Sequence, residues 1–309
     1  MNVLLWHLHG SYQTAMVQGP HTYLIPTTPE RGPEGRGRAD SWEWPPNAVE
    51  VTPRDCLERQ IDVAVFQRTE ELFSWAPRWL GGRRPGVDFP AVYLEHNAPQ
   101  GRINDLRHPA ADQPGLSFVM VTHFNRLFWD VGASPVRVIE HGIPDPGYRY
   151  SGELERAVAV INEPCRRARV AGSDLLPFFE LSLPVDLFGI KTRNDVPQAR
   201  LHEEMPRRRV YLHPYRWTSL GLSLIEAMQL GMPVVALDVT EHREAVPPDG
   251  GVVSNRLEVL SEALEWLGSD HDAARRMGCR AREWALRKYG LRRFLDDWNR
   301  LFEEVTACA

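Results

Sequence analysis

HPYRWTSLGLSLIEAMQLGMPVVAL, residues 213–237, is the stretch on which the reading of this chain turns. An apolar strand pattern, RVYLHP (209–214), runs into a short polar turn, then a helix pattern, then a second apolar strand, MPVVALD (232–238). Ser219 is suited to cap the helix, Leu222 falls in its first turn, and Gly231 supplies the stop. Gly221 carries no side chain, so a ligand can come close to the backbone. The amides of a helix first turn, with the helix dipole, favour a phosphate there. Glu226 lies about one turn deeper, and its carboxylate can accept two hydrogen bonds from vicinal hydroxyls, the geometry of a ribose diol.

Working outward, short runs recur that are almost continuously apolar rather than alternating: VLLWHL (3–8), DVAVFQ (62–67), AVYLEH (91–96), SFVMVTH (117–123) and VRVIEHG (136–142). That pattern belongs to strands buried on both faces, as in a parallel sheet covered by helices. Residues 27–47, rich in proline, glycine and charge, read as a long loop. After HGIPDPGYRY the alternation restarts with AVAVIN (157–162), PVDLFGI (184–190) and RVYLHP, separated by the helix patterns SDLLPFFELS and PQARLHEEM. The end is helical, with Phe294, Trp298 and Leu301 on one face. The expectation is an α/β protein of two doubly wound domains, 1–146 and 147–285, with 286–309 a helix returning to the first.

Composition narrows the function classes. Hydrophobic residues make up 43% and charged residues 25%, which suits a globular chain, and a net charge of −5 gives no basic excess for a nucleic-acid partner. Cys56, Cys165, Cys279 and Cys308 form no CxxC pair, so free thiols in a reducing compartment are expected. The start reads as a strand rather than a signal peptide, and no window reaches the ~18 apolar residues of a spanning helix. A cytoplasmic protein is expected, with peripheral membrane contact left open. GRGRAD follows no strand, which argues against a dinucleotide fingerprint. Asp270-His271-Asp272 reads as a helix entrance rather than a metal motif, and neither catalytic metal nor cofactor is expected.

The opening stretch resembles the nucleotide-binding segment of retaining GT-B glycosyltransferases, which use UDP- or GDP-sugars. Pro214, Gly221, Leu222, Glu226, Ala227, Met228, Gly231, Pro233, Val234, Val235 and Ala236 match that pattern in register. RVIEHGIPD (137–145) and AVAVINEPCRRARVAGSDLLPFF resemble the hinge and the start of the second domain of the same family. The resemblance implies two Rossmann-like domains facing each other across a cleft, and transfer of a sugar from a nucleoside-diphosphate donor, with retention, to an acceptor it does not identify. A hexosyltransferase-type enzyme is the reading.

The resemblance also implies site residues. Glu226 holds the ribose, and Thr218, Ser219, Leu220, Gly221 and Leu222 line the donor. Gly10 and Ser11, in the turn after the first strand, bring amides to the diphosphate. His96 and Thr218 face the sugar, with His9, His7 and His123 ranked below His96 as strand-end histidines. Arg166 matches the family arginine. Two positions depart from the pattern: Thr218 stands where the family has the first of two glutamates, and Ala171 where it has a lysine. Arg169 is the choice for the missing lysine's role, and Arg216 for a further phosphate contact. A nucleotide-sugar-binding protein or inactive partner subunit, or a GT-B-fold nucleotide-sugar 2-epimerase, are the competing readings.

Overall fold

The computed structural model describes residues 1–8, 10–40 and 42–307. The described chain divides into two compact units, Met1–Ile143 with Leu291–Ala309, and Pro144–Gly290. The boundary falls at Pro144, where the four residues 144–147 hold two prolines and a glycine.

The first unit is built on seven parallel strands: β1 (Asn2–Leu5), β2 (Thr22–Pro26), β3 (Ala48–Val51), β4 (Val63–Phe66), β5 (Ala91–Glu95), β6 (Leu116–Met120) and β7 (Val136–Val138), in the order β3-β2-β1-β4-β5-β6-β7. The apolar runs of β1, β4, β5 and β6 settle as strands because both faces of each are covered, while β7, at the sheet edge, only half-buries Val136 and Val138 and leaves Arg137 exposed. Val3, Leu5, Val63, Val65, Val92, Leu94 and Val119 point into one buried cluster, and Leu4, Ala64, Phe66, Ala91, Tyr93, Phe118 and Met120 into the other. The first cluster is closed by the helix Leu291–Ala307, whose Phe294, Trp298, Leu301 and Phe302 are buried against Tyr12, Met16 and the strands. Trp298 Nε1 donates to the Tyr12 hydroxyl at 3.2 Å. β2 and β3 lie outside the runs picked out in the sequence. β2 is five residues ending in a proline, and β3 joins the sheet only beside β2, so neither carries a long apolar signature.

The second unit has five parallel strands, β8 (Leu154–Val160), β9 (Val185–Phe188), β10 (Arg208–His213), β11 (Val234–Leu237) and β12 (Gly251–Ser254), ordered β12-β11-β10-β8-β9. In both sheets the chain first runs outward to one edge and then returns to the starting strand to run the other way. The reversals fall between β1 and β4 and between β8 and β10. At such a point the connections leave in opposite directions and open a crevice at the carboxyl ends of the strands, where ligands of open α/β sheets bind.

Residues 27–47 contain no strand or helix among those described, yet they are tied down. Trp6 Nε1 donates to Glu34 O, and Trp44 Nε1 to Thr14 Oγ1 at 2.8 Å. Arg31 and Glu50 form a two-pronged ion pair. Asp270 caps the helix His271–Lys288, accepting from Ala273 N at 2.8 Å, in keeping with its reading as a helix entrance. No helix among the described residues is long and apolar enough to cross a membrane. Truncating Trp298 to alanine removes a ring that is 1% exposed and should cost about 3–5 kcal/mol of stability, read from the shift of the urea midpoint at constant m-value.

Candidate functional site

The helix predicted from the opening stretch spans Leu222–Leu230 and ends on Gly231 in the left-handed region at φ 93°. Its cap differs from the sequence expectation. Gly221, extended at φ −74° and ψ 125°, is the N-cap and supplies no side chain; Ser219 lies two residues earlier and is buried. The reason for glycine here is packing as well as access. A Cβ on Gly221 would sit 2.8 Å from Cε1 of His213, the last residue of β10. The amino end of the helix is thus pressed onto the carboxyl end of the strand.

The turn between them is fastened to the segment after β8. Arg216 N donates to Val170 O at 3.0 Å, and the Arg216 guanidinium forks onto Asp174 at 2.6 and 3.0 Å. Gly172, at φ 72°, permits this approach: a Cβ there would fall 1.9 Å from Pro214 O. So the unit's switch point is closed by two glycines, one under each wall of the turn.

Glu226 is 6% exposed and does not point into solvent. Its Oε1 accepts from Gln198 Nε2 at 2.8 Å, and its Oε2 lies 3.6 Å from His202 Nε2. Gln198 also meets His202 Nε2 at 2.8 Å through the same amide nitrogen, which makes that imidazole nitrogen the acceptor in the neutral ring. Gln198 and His202 were read only as part of a plain helix. Their spacing of four on the helix Gln198–Glu204, which sets both on one face, was the available signal.

The arginines take positions the sequence could not assign. Arg166 pairs with Glu163 and is largely exposed, and Lys191 joins the same carboxylate at 2.5 Å. These partners hold the Glu163 carboxyl down at about 2. Arg169 approaches Asp174 at 3.5 Å and is also largely exposed. Arg167, not singled out for a role, lies over the Tyr215 ring at 5.2 Å; Tyr215 in turn stacks on His213 at 4.7 Å. Thr218 is half-buried, and Leu220 buried.

Two imidazoles lie beneath the turn. His213 and His242 are both fully buried, with ring centroids 4.7 Å apart. His242 Nδ1 donates to Leu237 O at 2.9 Å, and burial pushes its pKa down to about 4. Burial lowers that of His213 well below the ordinary value, with the charges of His242 and Arg167 acting the same way.

In the first unit Gly10 and Ser11 begin the helix Gly10–Met16 rather than lying in an irregular turn. His96 follows β5, half-buried, with its Nε2 2.9 Å from Gln67 Oε1 and its ring edge-on to Tyr12 at 4.6 Å. His7 Nδ1 meets Gly37 O at 2.9 Å, and His123, itself exposed, opens the helix His123–Phe128. His9 and Cys308 lie outside the described residues. Cys56 is buried, Cys165 exposed and Cys279 in between, all three free.

Residues 189–284 match the family model described as Glycosyl transferases group 1. The chain carries a group 1 glycosyltransferase domain. The matched domain holds Thr218 to Leu222, Glu226, Gln198, His202 and His213; Arg166, Arg169 and His96 lie outside it. The fold of the whole chain is GT-B, as its structural neighbours show. Sucrose-phosphate synthase from Thermosynechococcus elongatus is 13% identical over 100% of both chains, with a TM-score of 0.72. HepE of Anabaena, solved with UDP-glucose, is 13% identical over 100% of both chains at 0.68. A glycosyltransferase from Rickettsia africae is 13% identical over 98% of both at 0.61. A comparison with curated proteins finds no significant match. The group 1 domain places the protein in the class of sugar-transferring enzymes.

The buried histidines of this glycosyltransferase domain carry a pH signature. The unfolded chain binds a proton at an ordinary histidine below about 6.5, while folded His242 resists until about 4. Stability is therefore complete above 6.5 and is lost as the pH falls through that window, by roughly 1.4 kcal/mol per unit for one such group. Relative to wild type, His242→Asn should show a shallower fall of the thermal midpoint between those pH values. An equal slope would count against it.

Proposed function

We propose that this protein transfers a sugar from a nucleoside-diphosphate sugar to an acceptor, with retention and without a catalytic metal. The observation that carries the proposal is the pairing of a bare helix amino end at Gly221 with a sheltered carboxylate, Glu226, one turn inside the same helix. The first intrahelical bond here is made by Leu224 N to Gly221 O, so the amides before it face the start of the helix, where a phosphate is favoured. Glu226 keeps acceptor capacity beyond the single bond from Gln198, enough for the two hydroxyls of a ribose.

In the transfer an acceptor hydroxyl oxygen bonds to the sugar's anomeric carbon as the bond from that carbon to the terminal phosphate oxygen breaks; the electron pair of the broken bond stays on the diphosphate, which takes up the hydroxyl proton. Negative charge grows there. The amides of Leu220, Gly221 and Leu222, the helix dipole, and the guanidiniums of Arg166 and Arg169 would meet it, as preorganised dipoles and charges do in transition-state stabilisation. Arg216 forks onto Asp174 and so serves the turn before it serves a ligand. His96 and Thr218 would face the sugar, Gly10 and Ser11 would add amides, and acceptor recognition would fall to residues 1–146. A uridine nucleotide is a reasonable first donor because HepE of Anabaena was solved with UDP-glucose. A cytoplasmic setting belongs to the same proposal, in keeping with four cysteines that form no CxxC pair in the sequence.

A nucleotide-sugar binder is the second reading, and one observation favours it. Arg166 and Arg169 each lie against a carboxylate, Glu163 and Asp174, which these arginines share with Lys191 and Arg216, so part of the positive charge is offset before a diphosphate arrives. The test is a thermal-shift series with UDP, GDP, ADP and TDP and their sugars. One of them should raise the midpoint, and Glu226→Ala should weaken its binding by about tenfold or more. No shift with any nucleotide, or an undiminished shift in Glu226→Ala, would refute the site. Donor hydrolysis that disappears in Arg169→Ala while binding persists would mark an enzyme; binding without turnover would mark a binder.

A further inference from the structure

We propose that Gln67 is a positioning residue that locks the tautomer and orientation of His96. The inference rests on the reading of His96 as the sugar-facing histidine and extends it to a residue that no motif marks. Gln67 follows β4, at the point where the strand order of the first unit reverses, and is 4% exposed. Its Nε2 lies 3.0 Å from Trp6 O and its Oε1 2.9 Å from His96 Nε2.

The two ends of an amide are told apart by their partners. Trp6 O is a carbonyl and only accepts, so the amide nitrogen must face it. The amide oxygen therefore faces His96, and an oxygen acceptor requires the proton on Nε2. The neutral ring then carries its lone pair on Nδ1. The ring plane is held by the edge-on contact with Tyr12. Gln67 itself is fixed at both ends: its backbone N donates to Glu71 Oε2 at 2.6 Å, and Trp6 O is also bound by Gln13 Nε2 at 2.5 Å. Three consecutive places in the sheet, the residues past β1, β4 and β5, are thus joined by one side chain.

The test uses the full chain labelled with nitrogen-15. Long-range proton–nitrogen correlations of the imidazoles, with His96 assigned by its loss in His96→Asn, should show the proton on Nε2. Gln67→Met removes both hydrogen bonds and should move His96 toward a mixture of tautomers. Gln67→Glu keeps an oxygen acceptor facing His96 and should keep the proton on Nε2. A proton on Nδ1 in the wild type, or a tautomer indifferent to Gln67→Met, overturns the proposal. Hydrolysis of UDP-glucose supplies the second readout: Gln67→Met should lower kcat about tenfold with KM held within about twofold, and Gln67→Glu should recover most of it. A tautomer that follows Gln67 while His96→Asn leaves kcat unchanged refutes the sugar-facing role of His96 and not the lock.

Discussion

The constraint on which the second unit depends is the close contact between the end of β10 and the start of the helix after it. Neither glycine there has room for a side chain: Gly172 lies against the Pro214 backbone carbonyl and Gly221 against the His213 ring. A helix that starts this tightly against a strand cannot use a serine or aspartate cap in the usual way, because the cap position itself is the contact. Its first amides are left to other partners. The same economy that packs the unit therefore leaves a local positive potential at the carboxyl edge of the sheet.

The buried surroundings of that contact sharpen its electrostatics. Neither His213 nor His242 carries charge near neutral pH, since both are buried with their pKa values pushed down. Beneath the turn there is thus an aromatic, uncharged floor of Tyr211, His213 and Tyr215 rather than a cation. Positive charge is kept at the rim, on Arg166, Arg167 and Arg169. A neutral floor under helix dipoles strengthens each dipole by excluding water, whereas a buried cation would have cost desolvation that a surface arginine avoids.

How much of this was legible before the structure follows from the range of each interaction. The helix Leu222–Leu230, its glycine stop and the flanking strands were visible because they rest on local chemistry within one short stretch. The central strands were visible because burial on both faces leaves an apolar run. β12, four residues with only the glycine fully buried, left no comparable mark. The cap at Gly221 was misplaced to Ser219 because a capping preference is a local rule, and here a tertiary contact with His213 overrode it. The partners of the arginines were not readable either. Three arginines within four positions look alike in sequence, and only the fold decides that Glu163, Asp174 and Tyr215 divide them.

The polar residues that support the site follow the same logic at longer range. Gln198 reaches Glu226 across 28 positions, and Gln67 reaches His96 across 29 and Trp6 across 61. A buried amide satisfies a donor and an acceptor at once, so a glutamine between two strand ends can fix a neighbour without adding charge. Gln67 does this for an imidazole that the resemblance had marked, whereas Gln198, half-buried on a helix, meets the marked carboxylate and His202 through its amide nitrogen alone. Sequence motifs mark the groups that touch a ligand. The groups that aim them are chosen by geometry, and a single glutamine among helix or strand residues gives no sign of it until the strands are laid side by side.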